Sequence, residues 1–401
     1  IIPKVKKLLG VRDYAKIDTG IDLLRSLNQA NLYEVLLDEC YIGEYGHLKG
    51  NKFFSGSSNP AKTYLDYAML CLVAYAPKDA EIHKSLKREN ITKLRLTATE
   101  YDGGYGGNSE YGKITSTKLP LGFFKNLVNL YINNYQLLKN IDSLQECKKI
   151  KKLSLSKCSS LENIDGLKNC NNIEELNLDF CSSLTNLDTL IQCPKIKILH
   201  LNGCKALENI DGLKKCLHLE KLFLYDEKKY SYYYEKWYTY RCTSLKNING
   251  IINCKNLKEL NLSYCSSIQN IDALSNTKML KSINLSQIQN IKDISGIKNN
   301  LAITELKFNI NSKVPPTGID QIKNLKNLIF YDCNNLENLN GLETAENIET
   351  ITIAKCASLT DISALYNLKT LKKLQLKSSG IKKAQLPKEI QSITEAVFSY
   401  N

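Results

Sequence analysis

The residues of this chain with the greatest capacity for chemistry are its 14 cysteines, most of which recur at a fixed spacing. One series steps by 23 residues within three groups: Cys158, Cys181 and Cys204; Cys242 and Cys265; Cys333 and Cys356. A second series keeps the same step about half a repeat away, at Cys147, Cys170, Cys193 and Cys216, with Cys254 after one insertion. Thiols can form disulfides, bind a metal ion or act as nucleophiles.

The regular spacing favours a structural role for these thiols. Cysteines that return with the period of the surrounding leucines stack in parallel rows, whereas a disulfide needs its own pair geometry. A tetrahedral zinc site needs converging ligands, and no histidines accompany the rows. We therefore predict buried thiols outside disulfides, no bound metal and no cofactor.

Catalytic motifs are not recognisable elsewhere in the chain. Of the four histidines, His200 lies at an outward position between Leu199 and Leu201, and His218 lies in the following turn. The GGYGG segment at 103–107 lacks the Lys-Ser/Thr ending of a phosphate-binding loop and reads as a loop tip. The sequence predicts a protein that is not an enzyme.

The elements that carry the cysteines are 23-residue units of the form IxxLxLxxCxxLxxIxxLxxCxx. Residues 150–172, 173–195 and 196–218 align to it without a gap. Twelve L-x-L pairs mark successive units: Leu94/Leu96, Leu130/Ile132, Leu153/Leu155, Leu176/Leu178, Leu199/Leu201, Leu222/Leu224, Leu260/Leu262, Ile283/Leu285, Leu306/Phe308, Leu328/Phe330, Ile351/Ile353 and Leu374/Leu376. A weaker thirteenth unit is expected near Ala396 and Phe398. Each unit should form one short strand, and stacking should bury its apolar edge.

This pattern resembles the leucine-rich-repeat superfamily over about residues 91–398. The NIDGL and DISAL segments are similar to those of internalin-like and phosphatase-regulator-like repeats, and the cysteine variant is similar to repeat proteins of eukaryotic parasites. The resemblance implies an α/β solenoid, a leucine-rich-repeat horseshoe of about 12 parallel coils. Asparagine recurs after each coil, for example at Asn163, and should serve turns.

Two domains and two insertions are predicted. Residues 1–90 lack the repeat and read as a helical N-terminal cap, with one helix capped by Asp18 or Thr19 and ending at Leu27, one over 31–37, and one from Asn59 to Tyr75. Residues 91–401 form the solenoid. Its insertions fall at about 100–112 and 225–241, and the second is rich in tyrosine and contains the single tryptophan.

Exposed aromatic side chains mark the predicted binding surface, because rigid rings give contact area at low entropic cost. Outward strand positions also carry Asp179, Asn202 and Ser263, expected to be exposed. Tyrosine also suits a sheet surface without any partner, and the insertion could instead self-associate or bury its own rings. The candidate partner-binding residues are Tyr131, Phe180, His200, Phe223, Tyr225, Tyr232, Tyr233, Tyr234, Trp237, Tyr238, Tyr264 and Tyr331.

The charge and hydropathy of the chain argue against two kinds of partner, nucleic acid and the membrane interior. The net charge is +13, but acidic and basic residues mix along the strand rows, so a nucleic-acid groove is not expected. The longest apolar stretch, 64–75, is too short to insert across a membrane. We expect a monomer.

The sequence therefore predicts a protein-binding scaffold that recognises a protein through its concave strand face and its aromatic insertion. A secreted parasite or microbial protein in host interaction is the expected setting; the chain starts at Ile1, which fits signal removal, and carries sequons at Asn90, Asn261 and Asn284. The alternative is a cytoplasmic adaptor or regulatory subunit of an enzyme assembly.

Overall fold

The computed structural model describes residues 1–10, 14–42, 44, 48–49, 59–97, 119–224, 241–288 and 291–397. The chain divides into two compact units. Unit one comprises Ile1–Leu184 with Gln192–Ile196, and unit two comprises Thr185–Ile191 with Lys197–Asn401.

Unit one begins with four helices and a short hairpin. The helices are α1 (Ile2–Leu9), α2 (Tyr14–Leu27), α3 (Ala30–Leu37) and α4 (Asn59–Tyr75), and strands β1 (Tyr41–Ile42) and β2 (Leu48–Lys49) pair antiparallel. Helices α1 and α4 pack on α2, and the Tyr67 hydroxyl donates to Asp18 Oδ1 at 2.7 Å. Within the described part of the chain, no helix is both long and apolar enough to cross a bilayer.

The predicted cap of α2 is wrong. Asp18 and Thr19 lie inside this helix, which begins at Tyr14. The Thr19 hydroxyl donates to the carbonyl of Ala15 at 2.8 Å, one helical turn back. It therefore bonds to a carbonyl inside the helix and does not accept from an N–H group at the helix N-terminus. The third predicted helix agrees with α4 at both ends.

Four parallel strands follow in unit one. They are β3 (Lys93–Thr97), β4 (Asn129–Asn133), β5 (Lys152–Ser154) and β6 (Glu175–Asn177). Leu94, Leu130, Leu153 and Leu176 stand opposite one another in the register, and all four are buried. The L-x-L pattern therefore sets the register, since a slip of one residue would expose every leucine.

The described residues of unit two form nine parallel strands in two sheets. The first group is β7 (Ile198–His200), β8 (Lys221–Phe223), β9 (Glu259–Asn261) and β10 (Ser282–Asn284); the second is β11 (Glu305–Phe308), β12 (Asn327–Tyr331), β13 (Thr350–Ala354), β14 (Lys373–Lys377) and β15 (Thr394–Val397), with helix α5 (Lys388–Ser392) before β15. In β15, Thr394 and Ala396 stand opposite Leu374 and Leu376. The expected start near Ala396 was two residues late.

All 14 cysteines are buried and none is in a disulfide, as predicted. Several thiols donate to a carbonyl of the preceding coil. Cys158 Sγ lies 3.5 Å from the oxygen of Ile132, and Cys181 Sγ lies 3.3 Å from that of Leu155. Burial raises the pKa of the Cys158 thiol to about 12. The rows are therefore a buried part of the core, and several of their thiols hydrogen-bond to the preceding coil.

The recurrent asparagines serve turns, also as predicted. Asn163 Oδ1 accepts from the backbone N–H of Asp165 at 3.2 Å, and Asn247 accepts from that of Asn249 at 3.0 Å. Asp361 makes the same bond to the N–H of Ser363 at 2.8 Å. Each side chain thus closes an Asx turn at the start of a short 3₁₀ helix.

In two runs of repeats, lysine and glutamate alternate at the position two residues before the first core residue of the strand: Lys151, Glu174, Lys197, Glu220 and Lys258, and then Lys326, Glu349 and Lys372. We call these positions the charge ladder. Its pairs are Lys151–Glu174 at 3.6 Å in unit one, and Glu220–Lys258 at 2.8 Å, Lys326–Glu349 at 3.1 Å and Glu349–Lys372 at 2.8 Å in unit two. The two lysines lower the pKa of the Glu349 carboxyl.

Candidate protein-binding face

The side chain between the two core leucines of each strand points away from the core. Tyr131, His200 and Phe223 occupy this position, and all three are half-buried. We call the surface made by these positions and by the bend that follows each strand the strand face.

In unit two, the rings of His200 and Phe223 form a stack on the strand face. The two residues are directly opposite each other in the β7–β8 register. Their ring centroids are 4.9 Å apart with an interplanar angle of 21°. Phe223 in turn stands opposite Asn261 of β9. A flat, half-buried aromatic pair beside a polar amide gives a partner both apolar area and a hydrogen-bonding group.

After most of the described strands, the bend uses left-handed backbone at the residue that precedes the cysteine position. Phe180 has φ 63° and Tyr264 has φ 64°, and Gly203 occupies the equivalent position with φ 71°. The bend lets its own N–H reach the next coil: the N–H of Tyr264 donates to the carbonyl of Ser286 at 3.0 Å. Left-handed backbone costs a non-glycine residue about 1–2 kcal/mol, so these two aromatic residues occupy a position that suits glycine better.

Cations cover one face of several of the candidate rings. The Arg241 guanidinium lies 4.3 Å from the centroid of Tyr264, and the Arg95 guanidinium lies 4.2 Å from that of Tyr131. Tyr331, of which 38% is exposed, has the ammonium groups of Lys307 and Lys355 at 5.3 and 5.4 Å from its centroid. Such pairs hold the rings in place and put positive charge beside them.

Several polar residues of the strand rows are buried, contrary to the prediction that they are exposed. Asp179, Asn202 and Ser263 have no exposed surface. They lie after the second core leucine, where the chain already turns into the bend. The backbone N–H of Asp179 donates to Asn177 Oδ1 at 2.8 Å, and that of Ser263 donates to Asn261 Oδ1 at 2.9 Å. These residues form the bend, and their side chains are buried in it.

The six candidates Tyr131, Phe180, His200, Phe223, Tyr264 and Tyr331 lie on the strand face of their own unit. Tyr225, Tyr232, Tyr233, Tyr234, Trp237 and Tyr238 lie outside the described residues, as does the first insertion. Sequence analysis missed the paired cations. The position of Arg241, immediately before Cys242 as Tyr264 is immediately before Cys265, was the available signal.

Among the described side chains, no three His, Cys, Asp or Glu residues are placed to share a metal ion. The described part of the strand face presents aromatic rings, an amide and cations.

The repeats match a known family. The sequence profile of the BspA-type leucine-rich-repeat region matches six copies over residues 113–231 and 316–401, which is more than half of the chain. This chain belongs to the BspA-type leucine-rich-repeat family. A comparison with curated proteins found no matching sequence.

Solved structures similar to this chain include bacterial repeat proteins. An internalin, InlF, of Listeria monocytogenes is 20% identical with a TM-score of 0.52, covering 75% of this chain and 77% of that one. A leucine-rich-repeat protein of Leptospira interrogans is 18% identical with a TM-score of 0.45, covering 78% and 79%. The functional domain of InlJ of Listeria monocytogenes, which includes a cysteine ladder, is 16% identical with a TM-score of 0.42, covering 75% and 62%.

Proposed function

We propose that this leucine-rich-repeat protein is a non-enzymatic scaffold that binds a protein partner through its strand face and its aromatic insertion. The observation that supports this most is the aromatic cluster of unit two, made by the His200–Phe223 stack and the Arg241–Tyr264 pair. Side chains of this kind dominate the energetics of protein interfaces.

The cluster also lies where the second insertion leaves and rejoins the repeats. Phe223 is two residues before Tyr225, at which the insertion begins, and Arg241 is its last residue. Tyr225, Tyr232, Tyr233, Tyr234, Trp237 and Tyr238 are then, on this proposal, a continuation of the same binding surface. Tyr331 would extend it along the strand face of unit two, and Tyr131 and Phe180 are proposed as contacts on the strand face of unit one.

The cations beside the rings favour a partner that carries negative charge. Arg95, Arg241, Lys307 and Lys355 each lie over a ring. A carboxylate of a partner would meet the cation while an apolar side chain meets the open face of the ring. We propose a protein partner with acidic residues beside aromatic or aliphatic ones.

We further propose that the chain is secreted and acts on a host or surface protein, as a monomer. Buried thiols with a raised pKa support this setting, because a thiol reacts as its thiolate and burial suppresses that form. Burial raises the pKa of the Cys147 thiol to about 12 and that of Cys170 to about 11. Such a chain can stay unoxidised in an oxidising compartment. Among the three sequons, Asn90 is exposed, so it is the site expected to carry a glycan.

The test compares two variants of the whole chain. In one, Phe223→Ser and Tyr264→Ser remove two rings of the cluster; in the other, Tyr366→Ser removes a tyrosine that is 43% exposed but follows a 3₁₀ helix away from the strands. Immobilised proteins are used to capture partners from native extract, and an identified partner is then titrated against each purified variant. We expect the cluster variant to bind at least about tenfold more weakly and the control to bind as the parent does, since a hot-spot ring contributes about 2 kcal/mol.

Equal affinity of parent and cluster variant, with both folded by circular dichroism, would reject the strand face as the binding surface. Compartment is tested separately by detecting the chain in culture medium and in washed cells. Detection only inside cells would reject secretion and favour the intracellular adaptor.

A further inference from the structure

Four turns at one edge of unit two share a composition that the proposed function does not use. They comprise residues 214–218, 252–256, 275–279 and 298–302, each surrounding a buried residue of the second series: Cys216, Cys254, Thr277 and Asn300. We call these four turns the basic edge.

Asparagine side chains hold the turns side by side. Asn256 Nδ2 donates to the carbonyl of Leu217 at 3.0 Å, and Asn253 Nδ2 donates to that of Lys214 at 3.3 Å. Asn276 Nδ2 donates to the carbonyl of Ile252 at 3.3 Å, and Asn300 Nδ2 donates to that of Thr277. Each turn is thus bonded to the next, and at about 4.8 Å per coil the row is about 14 Å long.

Each turn projects one large apolar side chain into solvent. The exposed fractions are 51% for Leu217, 41% for Ile252, 48% for Met279 and 61% for Leu301. One exposed leucine is ordinary on a protein surface, but four in successive hydrogen-bonded turns form a patch, which marks an interaction site.

The charge of the edge has one sign. The four turns contain five lysines and no acidic residue. Lys214 pairs with Asp211 at 3.3 Å. Lys215, Lys255, Lys278 and Lys298 are exposed, and none makes an ion pair with any residue that the structure describes.

Carboxylates flank the turns in sequence at Asp211, Glu220, Asp272 and Glu305. Asp211 pairs with Lys214 at 3.3 Å, and Glu220 pairs with Lys258 at 2.8 Å. Because the turns themselves hold five lysines and no acidic residue, the edge keeps an excess of positive charge that attracts an anionic surface.

We propose that the basic edge docks on a membrane that contains anionic phospholipid. The four apolar side chains would enter the interfacial region, and the four lysines would lie at the level of the phosphate and carboxylate headgroups. A membrane fits better than a protein groove, because the apolar groups stand singly at the tips of turns with lysines between them. A lipid interface accepts such tips without a complementary shape. Docking is peripheral and independent of the proposed protein binding.

The experiment is sedimentation of the whole chain with phosphatidylcholine vesicles that contain about 30% phosphatidylserine, compared with pure phosphatidylcholine vesicles. The charge variant carries Lys215→Glu, Lys255→Glu, Lys278→Glu and Lys298→Glu. The apolar variant carries Leu217→Ser, Met279→Ser and Leu301→Ser. A matched control carries the same change of net charge outside the edge: Lys205→Glu, Lys292→Glu, Lys382→Glu and Lys388→Glu.

We expect the parent to bind the anionic vesicles at least about tenfold more strongly than the neutral ones, and added salt to weaken binding. Each lysine near an anionic surface increases the affinity for the membrane about fivefold, so the affinity of the charge variant for anionic vesicles should be at least about 100-fold lower than that of the parent. The apolar variant should lose binding at unchanged salt dependence, and the matched control should lose much less than the charge variant. No binding to anionic vesicles, or an equal loss in the charge variant and the matched control, overturns the proposal. Binding of a poly-glutamate peptide but not of vesicles would assign the edge to an acidic protein.

Discussion

Phe180 gives the sharpest test of the left-handed backbone in the bend. At most positions an alanine variant is more stable than a glycine variant, and at Phe180 we expect the glycine variant to be the more stable one. At ordinary backbone angles, replacing glycine by alanine stabilises a protein by about 0.4–1 kcal/mol through the unfolded chain. At φ 63°, alanine keeps the left-handed strain of about 1–2 kcal/mol, and glycine does not. Both substitutions remove the same half-buried ring. Phe180→Gly should therefore be more stable than Phe180→Ala by about 0.5–1 kcal/mol.

The assay is urea unfolding of both variants, followed by circular dichroism, with free energies compared only where the slopes agree. Gly203 has φ 71° in the equivalent position of the neighbouring repeat, so Gly203→Ala should destabilise. Ser156, which is not left-handed, is the control: alanine there should be more stable than glycine. Alanine more stable than glycine at both Phe180 and Ser156 would refute the assignment of strain to the bend.

Three further predictions concern the thiols and the insertion. Alkylation of native protein should label few of the 14 cysteines, denaturation without reductant should expose nearly all of them, and Cys181→Ser should destabilise by about 1–3 kcal/mol; labelling that requires a reductant would contradict this. Burial raises the pKa of Cys158 from 9.0 to about 12, so the protonated thiol contributes its full free energy to the folded state below pH 9. That contribution is lost as pH rises towards 12. The urea midpoint of unfolding should therefore fall between pH 9 and 12, and it should fall less steeply in Cys158→Ala. Replacing Asp226–Tyr240 by a short polar turn should leave the melting temperature nearly unchanged and weaken partner binding, with Trp237→Ala alone costing about 2 kcal/mol; unfolding of the deletion variant, or full binding by it, would show otherwise.

The repeats could be predicted because one rule governs them. A residue that returns every 23 positions must occupy the same environment in every coil, so the leucines, the buried thiols and the Asx turns all followed from spacing. The register of β15 could not be predicted from the spacing, because Thr394 stands where the other strands have their first core leucine or isoleucine. The start of helix α2 was also predicted wrongly, because Asp and Thr are common at helix N-caps but also occur at exposed positions within a helix, as Asp18 and Thr19 do here.

The strand face was predictable in its residues but not in its contacts. Alternation places Phe223 outward, yet which side chain covers which ring depends on coils that are distant in sequence. Arg95 and Tyr131 are 36 residues apart, with an insertion between them. The left-handed bend could have been inferred from Asn134, Gly203 and Asp332, three residue types that tolerate positive φ at the same position. Recognising it would have placed Asp179 inside the bend.

The charge ladder bears on how such a chain can grow. Repeat proteins lengthen by duplication of coding segments, and a duplicated coil brings its own lysine or glutamate to the ladder. Copying the coil of Glu349 alone would place two glutamates side by side, and copying that of Lys326 alone would place two lysines side by side. Copying both coils together keeps opposite charges adjacent throughout. Each surface pair contributes little, about 0–1 kcal/mol, but the sign of every new contact depends on whether an odd or an even number of coils is inserted. A two-coil step is therefore the smallest extension that leaves the electrostatics of the ladder unchanged.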